Sequence, residues 1–306
     1  MGEAPASEPT SDVGRAALDA WFESTREWAE ALLGRHLAPD ATPDDRLAEA
    51  MSYSALGGGK RLRPALVRLA CEWVGGTDAD CELPAVAVEL IHVYSLIHDD
   101  LPCMDDDDLR RGRPSNHKVF GEALAVLAGD ALQSRAFELL AQGPPERAIQ
   151  WIRILSHAAG APGMVGGQVC DMTLEGTAPD PEGVRDMHAR KTAALIAAAA
   201  ELGAVAGGAD AQQRASISEW GLRLGLLFQA TDDLLDVTGD AASLGKTPGK
   251  DARHGKPTLV AALGLEGARS EAERHAEAAA RAAERLGAGP GHPARLLAQK
   301  VLERSS

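Results

Sequence analysis

Cysteine is scarce in this chain of 306 residues. Cys71, Cys81, Cys103 and Cys170 lie too far apart for any CxxC pair, which excludes a zinc knuckle and a dense disulfide framework. Free thiols in a reducing cytosol are expected instead. Basic residues are also in deficit, 31 Lys and Arg against 45 Asp and Glu, and the net charge of −14 repels a phosphate backbone at long range. Nucleic acid and anionic membranes are thereby excluded as general partners, and any anionic ligand must be met by local positive charge. No stretch offers about eighteen consecutive apolar residues, so stable membrane insertion is not expected. The first dozen residues, MGEAPASEPTSD, lack a basic start and an apolar run of signal length. They read as a flexible tail (1–12) on a soluble, cytoplasmic protein with one domain over 13–306.

Alternating β-branched stretches of strand length are hard to find, whereas apolar residues recur at helical spacing in almost every window. The spacing predicts an all-α chain. Leu18, Trp21, Phe22, Trp28, Leu32 and Leu33 form one stripe, Leu47 to Leu56 a second, and Pro64 to Trp73 a third that Gly75-Gly76 stops. Residues 83–98 (LPAVAVELIHVYSLIH) are apolar on nearly all sides, as are 119–141 and 191–206, which marks central helices uninterrupted by proline. Gly143-Pro144-Pro145, the 177–181 loop and Gly207-Gly208 are the punctuation.

One pattern occurs twice, 133 positions apart: an apolar helix ending in paired aspartates with basic residues behind it. The first copy is Asp99, Asp100 and Asp105, followed by Asp106, Asp107, Asp108, Arg110, Arg111 and Arg113. The second is Asp232, Asp233 and Asp236, followed by Lys246, Lys250 and Lys256. Asp232 and Asp236 share a helix face about one turn apart, close enough to hold a hard cation through oxygen, so Mg2+ is the expected cofactor. An isolated acidic run is usually a solvated loop. Here it follows a very apolar helix, where packed carboxylates are costly unless cations neutralise them. An EF-hand fits poorly, since its sixth position would be Met104. Carboxylates beside arginines suggest Mg2+ bridging to a diphosphate whose other oxygens meet guanidiniums. A third element, Gly57-Gly58-Gly59-Lys60-Arg61-Leu62-Arg63-Pro64, offers backbone N–H groups and positive charge but no Ser or Thr after the lysine, so it is an anion site and not a P-loop. By itself, His92 reads as a satisfied core histidine.

The segments GGGKRLRP, IHDDLPCMDDDDLRRGRP, GMVGGQVCD, RKTAAL and LFQATDDLLDVTGDAASLGK resemble, in order, the signatures of the trans-isoprenyl diphosphate synthases. The likeness runs from about residue 15 to about residue 285, nearest to the bacterial farnesyl diphosphate synthases, with geranylgeranyl diphosphate synthases as the alternative. It implies an isoprenoid-synthase-type helical bundle around a deep central cavity, assembled as a homodimer. By the same resemblance Asp99, Asp105 and Asp232 would hold three Mg2+, supported by Asp100, Asp233 and Asp236. Arg110, Lys191, Lys246 and Lys256 would bind the allylic diphosphate. Thr192 and Gln229 would direct oxygens at the allylic cation, and Lys60, Arg63, His92 and Arg111 would hold isopentenyl diphosphate. Gln168 and Asp171 would line the metal side. Tyr94 and Ser95, about 6 to 8 Å down the helix from Asp99, would set product length, with Tyr94 as the floor that favours farnesyl diphosphate. The C-terminus, ending Leu302-Glu303-Arg304-Ser305-Ser306, departs from the family's basic end. A terpene cyclase lacks the second diphosphate site, a metal phosphohydrolase lacks its histidines, and a non-catalytic subunit stays open as a rival.

Overall fold

Thr77 and Asp80 start a long, largely buried helix. The Thr77 backbone N–H donates to Asp80 Oδ2 (3.0 Å), and the two side chains form a reciprocal capping box. The helix they open, α4 (Asp78–Asp99), has Val86, Ala87, Val88, Leu90 and Ile91 at or below 1% exposure. By length and composition alone it could cross a membrane, but 67% of its most apolar window is buried inside the bundle, so it is a core helix. It begins earlier than the apolar run suggested and contains Pro84, which corrects the expectation of proline-free interiors. The ring sits within the first two turns, where it removes one N–H from the ladder without breaking the long C-terminal part.

The computed structural model describes residues 12–37, 45–177, 180–238 and 256–304. Residues 1–11 of the expected tail lie outside that set, and Asp12 already begins a helix. The helices before α4 are α1 (Asp12–His36), α2 (Asp45–Ala55) and α3 (Leu62–Trp73). After it come α5 (Asn116–Phe120), α6 (Glu122–Ala141), α7 (Pro145–Ala159), α8 (Met164–Leu174) and α9 (Pro181–His188). A π-helical turn over Ala189–Ala193 leads into α10 (Ala194–Ala206), followed by α11 (Ala211–Thr238), α12 (Leu259–Glu284) and α13 (Pro293–Glu303). The fold is all-α, as expected. A hairpin of two-residue strands, β1 (Leu109–Arg110) and β2 (Arg113–Pro114), is the exception among the described residues. Two further boundaries differ from expectation. Gly121, at φ 85°, separates α5 from α6 within the predicted 119–141 helix, and the π turn opens the predicted 191–206 helix.

The alanine-rich α10 is buried along almost its whole length and packs against α3, α4, α7 and α11. Trp151 of α7 donates its indole N–H to Leu202 O (3.2 Å), and Trp220 of α11 donates to Ala294 O (3.2 Å). The second bond docks α13 on the bundle, because a buried indole N–H must find an acceptor. A charged network braces the outer helices. Arg61, fully buried, bonds Glu30 (2.8 Å), Glu89 (2.8 Å) and Ala55 O (2.6 Å). It therefore ties α1, α2 and α4 together and is removed from the anion site to which its motif had assigned it.

Candidate active site

The first aspartate motif sits where α4 runs out. Asp99 is its last residue and Asp100 its C-cap, and the Asp105 N–H returns to Asp99 O (2.8 Å), which brings the Asp105 carboxylate back toward the helix end. Burial raises the Asp99 carboxyl to about 6, Lys191 opposes that rise, and Asp105 adds to it. A carboxylate so placed is short of positive charge. Hard oxygen donors held together in that state fit Mg2+. Asp105 also lies 3.8 Å from Lys256 Nζ, so the segment behind the second motif reaches the first.

The second carboxylate of each pair is bound by protein. Asp100 is buried and accepts from Arg110 Nε (2.9 Å) and Nη2. Asp233 Oδ2 accepts the Leu259 N–H (2.7 Å) at the first turn of α12 and lies 3.6 Å from His188 Nε2. The resemblance assigned both to supporting the metal-holding carboxylates; in the structure each is held by protein groups, Asp100 by Arg110 and Asp233 by the Leu259 N–H. Burial lowers the His188 imidazole to about 4, so this histidine is neutral at pH 7 and packs against Asp233 without forming an ion pair with it. Asp232 and Asp236 are half-buried, one turn apart on α11. Lys246 and Lys250 lie outside the described residues.

Lys191 and Thr192 belong to the π turn, a local widening that re-aims side chains and is common at functional sites. Lys191 pairs with Asp171 of α8. This contact requires Gly167, since a Cβ there would lie 2.2 Å from the Lys191 backbone nitrogen. Gly167 of GMVGGQVCD thus lets α8 lie directly on the π turn. On its other side Gly225 of α11 meets Ala193 as closely, and Gln229 follows one turn later on the same face.

A second group of residues is cationic. Arg111 and Gly112 have φ of 55° and 73°, as the two central positions of a type I′ hairpin demand. The Arg111 guanidinium donates to Gly58 O and fills the space where a Gly59 Cβ would stand, 2.7 Å from Cζ. The glycine motif therefore makes room for an arginine, where a backbone anion cradle had been expected. Arg63 Nε is buried without a hydrogen-bond partner, and burial lowers Arg63 to about 10, with Glu89 opposing and Arg111 reinforcing. His92 is held well below its ordinary range by burial and by Arg63, Arg111, Arg61 and Arg110. A neutral histidine among arginines, one with an unpaired nitrogen, suits a polyanion. Lys60 is exposed at the rim.

Tyr94 and Ser95 lie where the sequence places them, on α4 beneath Asp99. Tyr94 is buried with its ring edge-on to His98, centroids 5.7 Å apart. Ser95 donates its hydroxyl to His92 O (2.9 Å). Two participants were missed by sequence reasoning: His188 behind Asp233, and Arg304, whose Nη2 is 3.6 Å from Asp232 Oδ1. Neither carries a local motif; only folding brings them to the aspartates.

The polyprenyl synthetase family profile matches residues 44–287. The chain belongs to that family. Polyprenyl synthetases similar to it include geranylgeranyl pyrophosphate synthase 11, chloroplastic, of Arabidopsis thaliana, 50% identical over 236 residues that cover 74% of this chain and 66% of that protein. The chloroplastic geranylgeranyl pyrophosphate synthase of Catharanthus roseus is 48% identical over 234 residues, covering 75% and 66%. The chain thus spans about two thirds of the length of these curated relatives. Among solved structures, an FPP/GFPP synthase from Zymomonas mobilis superposes with a TM-score of 0.82 at 37% identity, covering 94% of this chain and 99% of that one. Geranylgeranyl pyrophosphate synthetase from Pyrococcus horikoshii gives 0.85 at 31%, with the same coverages. The family expected from the motifs is confirmed at this level, and the nearest-branch expectation shifts toward geranylgeranyl synthases.

Proposed function

We propose that this polyprenyl synthetase is a Mg2+-dependent prenyltransferase that joins isopentenyl diphosphate to an allylic diphosphate. The observation that carries the reading is the division of charge at the end of α4. Asp99 and Asp105 form a carboxylate wall that needs cations, while Arg63, Arg111 and His92 form a cationic group that needs an anion. Two diphosphates of different fates call for that division. Asp99, Asp105 and Asp232 would hold Mg2+, which when bound would supply charge neutralisation for a departing diphosphate. Lys191 and Lys256 add fixed positive charge on the same side, and Arg110, locked on Asp100, holds the motif in register. Arg63 and Arg111 hold the second diphosphate, which keeps its bond. Thr192 and Gln229 present oxygens to the allylic cation, and the released diphosphate takes the final proton.

The product we propose is geranylgeranyl diphosphate, supported by the names of the plant relatives and by helix geometry. Four residues of helix turn about 40° past a full turn and five about 140°, so the side chain beneath Asp99 is that of Ser95, while Tyr94 points toward His98. Farnesyl diphosphate is the second reading, favoured by the buried Tyr94 ring. A homodimer in the cytoplasm completes the proposal. The test is an assay of the purified chain with isopentenyl diphosphate, dimethylallyl diphosphate and Mg2+. Prenyl chain growth that falls by orders of magnitude in Asp99→Ala and Asp232→Ala is expected; no condensation by the wild type would overturn the reading in favour of a non-catalytic subunit.

A further inference from the structure

Between Asp105 and α5 the chain folds back through the β1–β2 hairpin, and three ligand atoms that serve neither diphosphate meet at its base. One carboxylate oxygen each from Asp106 and Asp108 and one ring nitrogen of His117 all lie within 4.8 Å of one another. Two exposed aspartates alone would be an ordinary solvated loop. His117 changes that: it is only 6% exposed, and its Nε2 is buried without a hydrogen-bond partner. The ring is also fixed in place. Its Nδ1 lies 3.2 Å from Ser115 Oγ, and the neighbouring Asn116 amide donates to Ala50 O and Ser54 Oγ, both at 2.8 Å.

A proton on Nδ1 shared with the Ser115 hydroxyl leaves the Nε2 lone pair uncommitted. That is the state in which metal-binding histidines are held by an outer partner. We propose that Asp106, Asp108 and His117 form a second divalent-cation site, built for a borderline transition metal such as Zn2+ in preference to Mg2+. Imidazole with two carboxylates suits such ions, whereas Mg2+ favours oxygen and water. Metal–ligand bonds of about 2.0 to 2.2 Å place donors no more than about 4.4 Å apart. Exposed aspartate side chains can move the few tenths of an ångström required. One cation already competes for the position: Lys118 Nζ lies 2.7 Å from Asp108 Oδ1. A bound ion would join the end of the aspartate motif to α5, closing the segment that carries Arg110 and Arg111. It requires no diphosphate, so it stands apart from the function proposed above.

The test is calorimetric titration of the full-length protein with Zn2+ in excess Mg2+ and without diphosphate, on a Cys103→Ser background that removes the exposed thiol. One equivalent is expected to bind. The Asp106→Asn/Asp108→Asn pair should weaken it at least tenfold, while Asp99→Asn/Asp232→Asn should leave it unchanged. Lys118→Met should tighten it severalfold by removing the competing ammonium. These exposed positions spare the core, so a folding failure of a His117 variant cannot decide the matter. Absence of zinc binding, undiminished binding in the Asp106→Asn/Asp108→Asn protein, loss in Asp99→Asn/Asp232→Asn, or equal or weaker binding in Lys118→Met would each overturn the site.

Discussion

Arg304, at the end of α13, places its guanidinium 3.6 Å from the Asp232 carboxylate and 5.3 Å from the Phe228 ring centroid. The end of α13 thus delivers positive charge to the second aspartate motif. Both partners are about one third exposed or more, so the pair is worth at most about 1 kcal/mol. Arg304→Gln should lower the Mg2+ concentration for half-maximal turnover by roughly two- to five-fold, because a competing cation is lost. A titration curve superimposable on the wild type would show that Arg304 does not compete with metal.

Asp99 makes the metal-free protein pH-sensitive. Its folded carboxyl is raised from 3.8 to about 6, so the folded state binds this proton more tightly than the unfolded chain does. Through this group stability therefore falls as pH rises from about 4 to about 6, and the full penalty persists above. Asp99→Asn removes it, on the order of 2 kcal/mol after discounting for partial exposure. Melting in a chelator should show the variant about 4 °C more stable at pH 7.5 and equal to wild type near pH 4. A gain independent of pH would assign the effect to something other than ionisation.

Gly167→Ala should separate α8 from the π turn. The added methyl has only backbone to displace, with the Lys191 nitrogen at 2.2 Å. We expect a loss of about 1 to 3 kcal/mol in stability together with a fall in turnover larger than that loss explains, since Lys191 and Thr192 move with the backbone. Full activity with an unchanged melting temperature would mean that α8 shifts without cost.

Product length separates Ser95 from Tyr94. With Ser95 beneath Asp99, Ser95→Phe should shorten the main product by at least one isoprene unit. Tyr94→Ala should lengthen the product if the Tyr94 ring is the floor, and should leave it unchanged if the ring serves only to pack against His98. Chromatography of the prenyl products of both variants reads the outcome directly, and an unchanged product in both would remove this turn of α4 from the tunnel wall.

Much of the site was legible because its chemistry is written in short segments. The paired aspartates, the RKT turn and the glycine-rich stretches each lie within a few residues, so type and spacing suffice to name carboxylate and cation groups. What each group faces was less legible. Arg61 and Arg63 sit two apart in one basic motif, yet Arg61 is buried on Glu30 and Glu89 while Arg63 keeps an unpaired Nε. Asp99 and Asp100 are adjacent, yet only Asp100 is bound by Arg110. Adjacent helical side chains point about 100° apart, and sequence does not say which direction meets protein.

By itself, the sequence determined the helical class, the central place of α4 and the family, because apolar periodicity and local motifs are properties of neighbouring residues. Tertiary structure alone decided which glycines are clearances for Arg111 and Lys191, that His188 stands behind Asp233, and that Arg304 reaches Asp232. Those relationships join residues tens of positions apart. They exist only once packing of the Ala-rich α10 and the long α11 has set the distances between helices.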